Sequence, residues 1–280
     1  GWTGIFGFKP SHGRIPVDPY YLGRCAGPMT RTVEDAAVSM PTLSRPDWRD
    51  GTALEPNDDD WLDFDLDVKG MKIGLMMDAG TGLSVDADVE RAVLSAARRF
   101  EDAGAAVVPV APVLTREMLD GLDVFWRARF WGQIEKLPDA RKAMILPYIF
   151  QWAEGGRSVS GVEAVRGFDR TIEMRRACSK LFSQVDAVLS PTNPIVSYPA
   201  DWASPTNDPS QPFEHIAFTV PWNMSEQPAA SINCGFSTSG MPIGLQIIGP
   251  RFGDLLVLKL SRAFEEWSGG VTAWPELANE

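Results

Sequence analysis

One stretch of the sequence carries strand, helix and strand patterns in succession, and this order restricts the fold more than any other feature. Met71–Met77 has the pattern of a buried strand, Asp86–Ala103 carries apolar residues at helical spacing, and Ala105–Val110 predicts a second strand. Gly104 stands where a glycine commonly follows the end of a helix. Two strands joined through a helix form a β-α-β unit, so the sequence predicts an α/β fold.

The rest of the chain predicts a hairpin and further helices around that unit. Ala229–Phe236 and Ile243–Ile248 have the pattern of two strands joined by a short turn, which indicates an antiparallel pair. The other predicted elements are a strand over Asp186–Leu189, broken at Ser190-Pro191, and helices over Thr30–Leu43, Thr115–Ile134, Asp139–Trp152, Ser160 to about Ser183, and Asp254–Trp267. With no internal repeat or linker, these elements predict a single α/β unit with a mixed β-sheet flanked by helices.

Composition narrows the classes of partner. The 280 residues are 44% hydrophobic and 22% charged, enough apolar material to bury a large core. A net charge of -11 repels phosphate backbones and anionic lipid, so neither nucleic acid nor a membrane is expected as a partner. No apolar run approaches the roughly 20 residues that span a bilayer, and no signal peptide is visible, which predicts a cytoplasmic location. Three isolated cysteines and two histidines predict neither a disulfide scaffold nor a metal site, and no cofactor is expected.

Several short motifs suggest a ligand but lack residues that the chemistry needs. Gly80–Gly82 has neither the third glycine nor the lysine of a nucleotide-binding loop. Asp58–Asp60 lacks the spacing of a calcium loop, which favours a solvated loop. Cys234 lies in a buried-strand pattern and favours a core cysteine over a nucleophile, and Gly155–Ser158 favours a turn over a catalytic loop. A plain loop histidine is favoured for His215 over one that faces a cleft.

Four segments, in order, carry the motifs of a known family. They are residues 4–16 (GIFGFKPSHGRIP), 27–37 (GPMTRTVEDAA), 186–192 (DAVLSPT), and 223–265 with its hairpin and helix. In sequence and spacing they resemble the amidase-signature family, whose members hydrolyse amides. The resemblance covers roughly half the chain, and residues 46–157 match only in their pattern of strands and helices.

The resemblance implies a Ser-cisSer-Lys triad. One serine attacks the amide carbonyl, a second relays its proton, a neutral lysine is the base, and a glycine-rich loop holds the oxyanion. In the family these parts precede the position of Gly1, and Lys9 matches a structural lysine. Residues 1–280 are therefore expected to be the C-terminal portion of a single amidase-signature domain, incomplete at the N-terminus and inactive alone. Gly1–Pro16 is expected in the middle of a sheet beside the nucleophile loop, and the chain alone is expected to be poorly stable.

The resemblance also points to the substrate pocket, because aromatic segments wall the acyl pocket in related enzymes. The candidate substrate-binding residues are Trp126, Phe130, Trp131, Trp152, Trp222 and Met224. An ordinary core role remains the alternative for each of them, since Trp126 and Phe130 at helical spacing would share a stripe with or without a ligand. Relatives that act on glutamine carry an acidic residue three positions before the equivalent of Thr219; here that residue is Ile216, which favours an apolar or aromatic amide.

Two functions fit these observations. The first is an amidase that acts on a small apolar or aromatic amide and pairs with the N-terminal part of the same enzyme or with a second chain, with a homo-oligomer also compatible. The alternative is a non-catalytic small-molecule binding or assembly module of the same fold. The opening within a motif favours the first, and the absence of a serine-lysine constellation favours the second if the chain is the whole natural protein.

Overall fold

The strand-helix-strand unit predicted between residues 71 and 110 lies at one end of a seven-stranded sheet. A computed structural model describes residues 1–269. The strand order is β2-β1-β6-β7-β5-β3-β4. The strands are β1 (Phe6–Lys9), β2 (Met29–Thr30), β3 (Lys72–Leu75), β4 (Ala106–Pro109), β5 (Ala187–Pro191), β6 (Ala229–Phe236) and β7 (Pro242–Ile248).

The sheet is mixed, as predicted. β3 pairs in parallel with β4 and with β5, so the β-α-β prediction is confirmed. β6 and β7 form the predicted antiparallel hairpin, and β7 also runs antiparallel to β5, with Leu189 opposite Ile247. The predicted break after Leu189 is wrong: β5 continues through Pro191, which lies opposite Leu245 in the ladder.

Three of the helices begin at a residue whose side chain caps the first turn. The side chains of Thr32, Thr115 and Ser160 each accept a hydrogen bond from the backbone three residues on, and Ser160 forms a capping box with Glu163. The helices are α1 (Val33–Leu43), α2 (Ala87–Asp102), α3 (Arg116–Ile134), α4 (Asp139–Lys142), α5 (Pro147–Glu154), α6 (Gly161–Leu181), α7 (Val220–Met224) and α8 (Asp254–Trp267). In residues 1–269 we find no helix that combines the length and the apolar character needed to cross a bilayer.

One predicted helix is corrected. Asp139–Trp152 is not continuous but divides into α4 and α5. Pro147 is the first residue of α5. Proline has no N–H to donate to the preceding turn and its ring clashes with that turn, so it is favoured in the first turn of a helix and costly further along. Apolar periodicity alone therefore overestimates the length of this element.

Two hydrophobic clusters cover the two faces of the sheet. Along β5, Ala187 and Leu189 face the cluster that contains α1, α2 and α8, whereas Val188 between them faces the other cluster, which contains α3, α6 and α7. Alternate side chains of one strand thus enter different cores. The face with α3, α6 and α7 carries the candidate site.

The opening segment is packed into the molecule. Phe6 and Phe8 of β1 are buried, and β1 pairs with β6. β1 is the second strand from the edge of the described sheet, beside the two-residue β2. Its position in the middle of a larger sheet, beside a nucleophile loop, stays a prediction. Gly27 makes a close approach possible, since a Cβ there would lie 1.7 Å from the carbonyl oxygen of Phe8.

Candidate substrate site

A cavity of about 250 Å³ opens on the sheet beside β1, β6 and α7. We call it the sheet pocket. Its polar lining residues are Lys9, Thr192, Thr219, Asn223, Ser231 and Gln246. Glycines, alanines, Phe8, Pro28 and Met29 supply the rest of its wall. The sheet pocket therefore combines several hydrogen-bonding side chains with a largely apolar surface.

Hydrogen bonds fix most of these polar side chains. Thr192 Oγ1 lies 2.8 Å from Ser231 Oγ. Gln246 Nε2 donates to Ser190 Oγ and to the carbonyl of Phe218, both at 2.8 Å. Buried polar groups need such partners, so the network holds the floor of the pocket in one arrangement.

Lys9 is tied to the main chain. Its Nζ donates to the carbonyl of Pro10 at 3.2 Å and to the carbonyl of Gln227. Desolvation lowers the pKa of Lys9, while Cys25, Asp254 and Glu226 oppose that shift. These bonds link β1 to the loop that enters β6, and they are the contacts of an anchoring lysine.

A second cavity, of about 340 Å³, lies between α3, α5 and the segment around residue 213. We call it the aromatic cleft. It is lined by Tyr21, Trp126, Phe130, Tyr148, Ile149, Trp152, Ala203, Pro212, Phe213, His215 and Ile216. Phe213 meets the rings of Trp126 and Trp152 edge to face at centroid distances of 5.0 and 5.6 Å. Such contacts contribute to packing, and the three rings together form an apolar wall of the cleft.

Two polar side chains of the cleft are hydrogen-bonded to other protein groups. Trp152 Nε1 donates to Asp123 Oδ1 at 2.7 Å, and the Tyr148 hydroxyl lies 2.9 Å from Ser204 Oγ. Trp126 Nε1 and His215 Nδ1 differ, because both are buried without a hydrogen-bond partner among the described residues. Burial also lowers the pKa of His215, which favours a neutral imidazole at neutral pH.

The structure brings together only some of the predicted site residues. Trp126, Phe130 and Trp152 line the aromatic cleft. Trp131 does not line it and packs against Phe150, at a centroid distance of 6.4 Å. Trp222 and Met224 are fully buried in the core that also contains α3 and α6.

Sequence patterns do not identify Tyr21, Tyr148 and Phe213 as residues of the cleft. They favour a plain loop position for His215, yet this residue lines the cleft. The one signal in the sequence is the proline-rich segment between residues 198 and 216, which also carries aromatic residues and indicates a loop.

The two cavities are neighbours. Ile216 lines the aromatic cleft and Thr219 lines the sheet pocket, and Thr219 Oγ1 donates to the Ile216 carbonyl at 3.1 Å. The chain between residues 216 and 219 therefore contributes to the walls of both cavities. Small-molecule sites commonly combine a few polar groups with apolar walls.

The described residues offer neither a reactive thiol at Cys234 nor a metal site. Burial raises the pKa of Cys234 to about 12, so its thiol is not a nucleophile at neutral pH. Within residues 1–269, no three His, Cys, Asp or Glu side chains are grouped to hold a metal ion.

Comparison with known proteins gives related sequences over almost the whole chain. A glutamyl-tRNA(Gln) amidotransferase subunit of Myxococcus xanthus is 28% identical, with 94% of this chain and 60% of that protein aligned. An acylamidase of Rhodococcus erythropolis is 26% identical, with 94% of this chain and 57% of that protein aligned. The chain thus spans about 60% of the length of these relatives.

Solved structures and a family profile agree with these relatives. A bacterial aryl acylamidase of the amidase signature family superimposes with a TM-score of 0.81 at 27% identity, over 95% of this chain and 58% of that one. A 6-aminohexanoate cyclic dimer hydrolase gives 0.84 at 21% identity, over 99% and 63%, and shows the shared fold. The profile of the amidase family matches residues 1–258. The chain belongs to the amidase-signature family.

Proposed function

We propose that this chain forms the substrate-binding part of an amide hydrolase that acts on small apolar or aromatic amides. The observation that carries the proposal is the aromatic cleft beside the sheet pocket with its hydrogen-bonding side chains. Within the described part of the chain, no Asp, Glu, Lys or Arg is among the residues that line the cleft. In this proposal the amide group binds the hydrogen-bonding side chains of the sheet pocket, and an uncharged ring or alkyl group occupies the cleft.

The cleft disfavours glutamine as the substrate. Ile216, at the position where glutamine-dependent relatives are expected to carry an acidic residue, lines the cleft. An apolar side chain cannot pair with the ammonium group of glutamine, and that charge would have to lose its water without compensation. The proposal therefore separates this protein from the amidotransferase proteins that it resembles in sequence.

The proposal assigns the serine-lysine chemistry to residues outside these 280. Lys9 supports this assignment because its amine donates to two main-chain carbonyls. The catalytic residues would come from the N-terminal part of the same enzyme or from a second chain, and we propose a cytoplasmic enzyme that can form homo-oligomers. A non-catalytic binding module would bind the same amides without turning them over.

Substitution of Ile216 tests the proposal. In the full-length protein that carries this chain, Ile216→Asp should weaken benzamide binding more than tenfold, because a carboxylate in the cleft must lose water or bring water with it. Ile216→Leu is the control and should stay within about twofold, since it keeps an apolar side chain of equal volume. Calorimetry gives both affinities. Unchanged affinity in Ile216→Asp would show that benzamide does not use the cleft.

A further inference from the structure

We infer that Trp126 and His215 select amides whose apolar part carries one uncharged hydrogen-bond acceptor, such as a ketone oxygen on an aromatic ring. The inference rests on the proposed function and names the substrate class of the same site. Two atoms carry it: Trp126 Nε1 and His215 Nδ1, both in residues that line the aromatic cleft and both buried without a hydrogen-bond partner among residues 1–269.

These two atoms stand out against their neighbours. Two other polar side chains of the cleft are satisfied by protein groups, Trp152 by Asp123 and Tyr148 by Ser204. A buried donor without a partner is costly, and native structures keep few of them. An acceptor on a ligand in the cleft removes that cost at Trp126, whose indole can only donate. The inference includes a rotation of the indole ring that turns its N–H toward the ligand.

The acceptor must be uncharged. Among the described residues that line the cleft there is neither arginine nor lysine, so a carboxylate or phosphate there would have no lining residue as a counter-ion. The Arg129 guanidinium stacks on the ring of Tyr21, 3.7 Å from its centroid, and does not itself line the cleft. His215 adds no charge because desolvation lowers its pKa. Its ring stacks at 22° on Trp2, with centroids 6.2 Å apart, which fixes the plane of the imidazole. A neutral imidazole can donate or accept at Nδ1, so it can also bind a hydroxyl group.

The test uses two ligands of the same shape. 4-Acetylbenzamide carries a carbonyl oxygen where 4-isopropenylbenzamide carries a methylene group. The full-length protein should bind the acetyl compound about three- to tenfold more tightly, the range of one added hydrogen bond. Calorimetry with both ligands gives the ratio directly. A ratio of one, or a preference for the isopropenyl compound, would overturn the inference.

Two variants locate the effect. Trp126→Phe keeps an aromatic ring and removes the N–H, and His215→Phe keeps the stack on Trp2 and removes both nitrogens. Trp126→Phe should bring the ratio close to one, and His215→Phe should lower it. Phe213→Leu is the control, because it thins the apolar wall and should weaken both ligands equally. A ratio that Trp126→Phe leaves unchanged would contradict the assignment.

The same titrations separate the two proposals. If neither benzamide binds, the proposed function itself fails. If both bind with equal affinity, the cleft accepts aromatic amides as proposed, but Trp126 and His215 do not form a hydrogen bond with an acceptor on the ligand.

Discussion

Glu226 occupies a backbone conformation that normally belongs to glycine. Its φ is +71°, and its buried carboxylate forms ion pairs with Arg175 of α6 and Arg251. Its carbonyl also accepts a hydrogen bond from the N–H of His12. These contacts fix the loop between α7 and β6, and they offset the cost of about 1–2 kcal/mol that a side chain incurs in this region.

Substitutions of Glu226 should separate the strain from the ion pairs. Both Glu226→Ala and Glu226→Gly remove the ion pairs, but only glycine adopts the positive φ freely. Glu226→Ala should therefore be less stable than Glu226→Gly by about 1 kcal/mol in the free energy of unfolding. Urea denaturation of the two variants measures the difference. Equal stability, or a more stable alanine variant, would mean that the loop relaxes out of this conformation.

Asp254 provides a prediction for the dependence of stability on pH. Its carboxyl is 1% exposed, its Oδ1 accepts from the Ser11 N–H at 2.6 Å, and its Oδ2 has no partner among the described residues. Desolvation raises the pKa of Asp254 above its ordinary value of 3.8. The folded state therefore binds its proton more tightly than the unfolded state does. That contribution is complete below 3.8 and is lost as the pH rises through the raised value.

Asp254→Asn removes this titration and keeps an oxygen that can accept from Ser11. The free energy of unfolding of the variant, minus that of the wild type, should rise as the pH increases above about 4 and then level off. Urea denaturation between pH 4 and pH 8 measures the difference. A difference that is constant with pH, or that falls, would contradict the raised pKa.

At the scale of elements, the contact between α3 and α6 sets the position of the cleft wall. Gly167 of α6 faces Gly121 of α3, and a Cβ on Gly167 would lie 2.4 Å from the Gly121 carbonyl oxygen. Trp126 and Phe130 follow Gly121 along α3. The distance between the two helices therefore determines where these rings stand.

Gly167→Ala should destabilise the protein by about 1–3 kcal/mol, the cost of forcing a methyl group into a packed contact. Gly132→Ala is the matched control, since Gly132 also lies within a helix and an added Cβ has no neighbour within 4 Å. The control should be neutral or more stable by up to about 1 kcal/mol because alanine favours helices. Thermal unfolding compares the two. Equal effects would mean that α3 and α6 can move apart freely.

Elements whose signals are local could be predicted from the sequence. The caps at Thr32, Thr115 and Ser160 each require only residues within one turn, and the β-α-β unit requires only its own apolar pattern. The placement of β5 between β3 and β7 depends on contacts across more than 50 residues, and the patterns do not contain it. Pro147 is a different case. It is a local signal for the start of a helix, but the apolar periodicity of residues 139–152 predicts one continuous helix through it.

Only part of the candidate site could be predicted from the sequence. Trp126 and Phe130 share a helix face, so their proximity follows from spacing alone. Phe213 and His215 follow a long loop, and the path of a loop cannot be predicted from the periodicity of its residues. Trp222 and Met224 lie on the five-residue α7, which is too short for a pattern to tell its buried side from its exposed side.

At the scale of the whole molecule, the chain supplies a sheet, two helical layers and a paired pocket, and it spans about 60% of the length of its relatives. Our central claim is the proposal that these parts bind the apolar or aromatic amides that the enzyme hydrolyses. It has two parts: which amides are bound, and the placement of the residues that cleave the amide bond outside this chain.

Ammonia release from benzamide and from L-glutamine tests that claim most directly. The full-length protein that carries this chain should hydrolyse benzamide with a kcat/KM at least about 100-fold above that for glutamine, since an unpaired charge in an apolar site costs this much or more. The purified 280-residue chain should release no ammonia from either. Preference for glutamine, or turnover by the isolated chain that a substitution within it abolishes, would contradict the account.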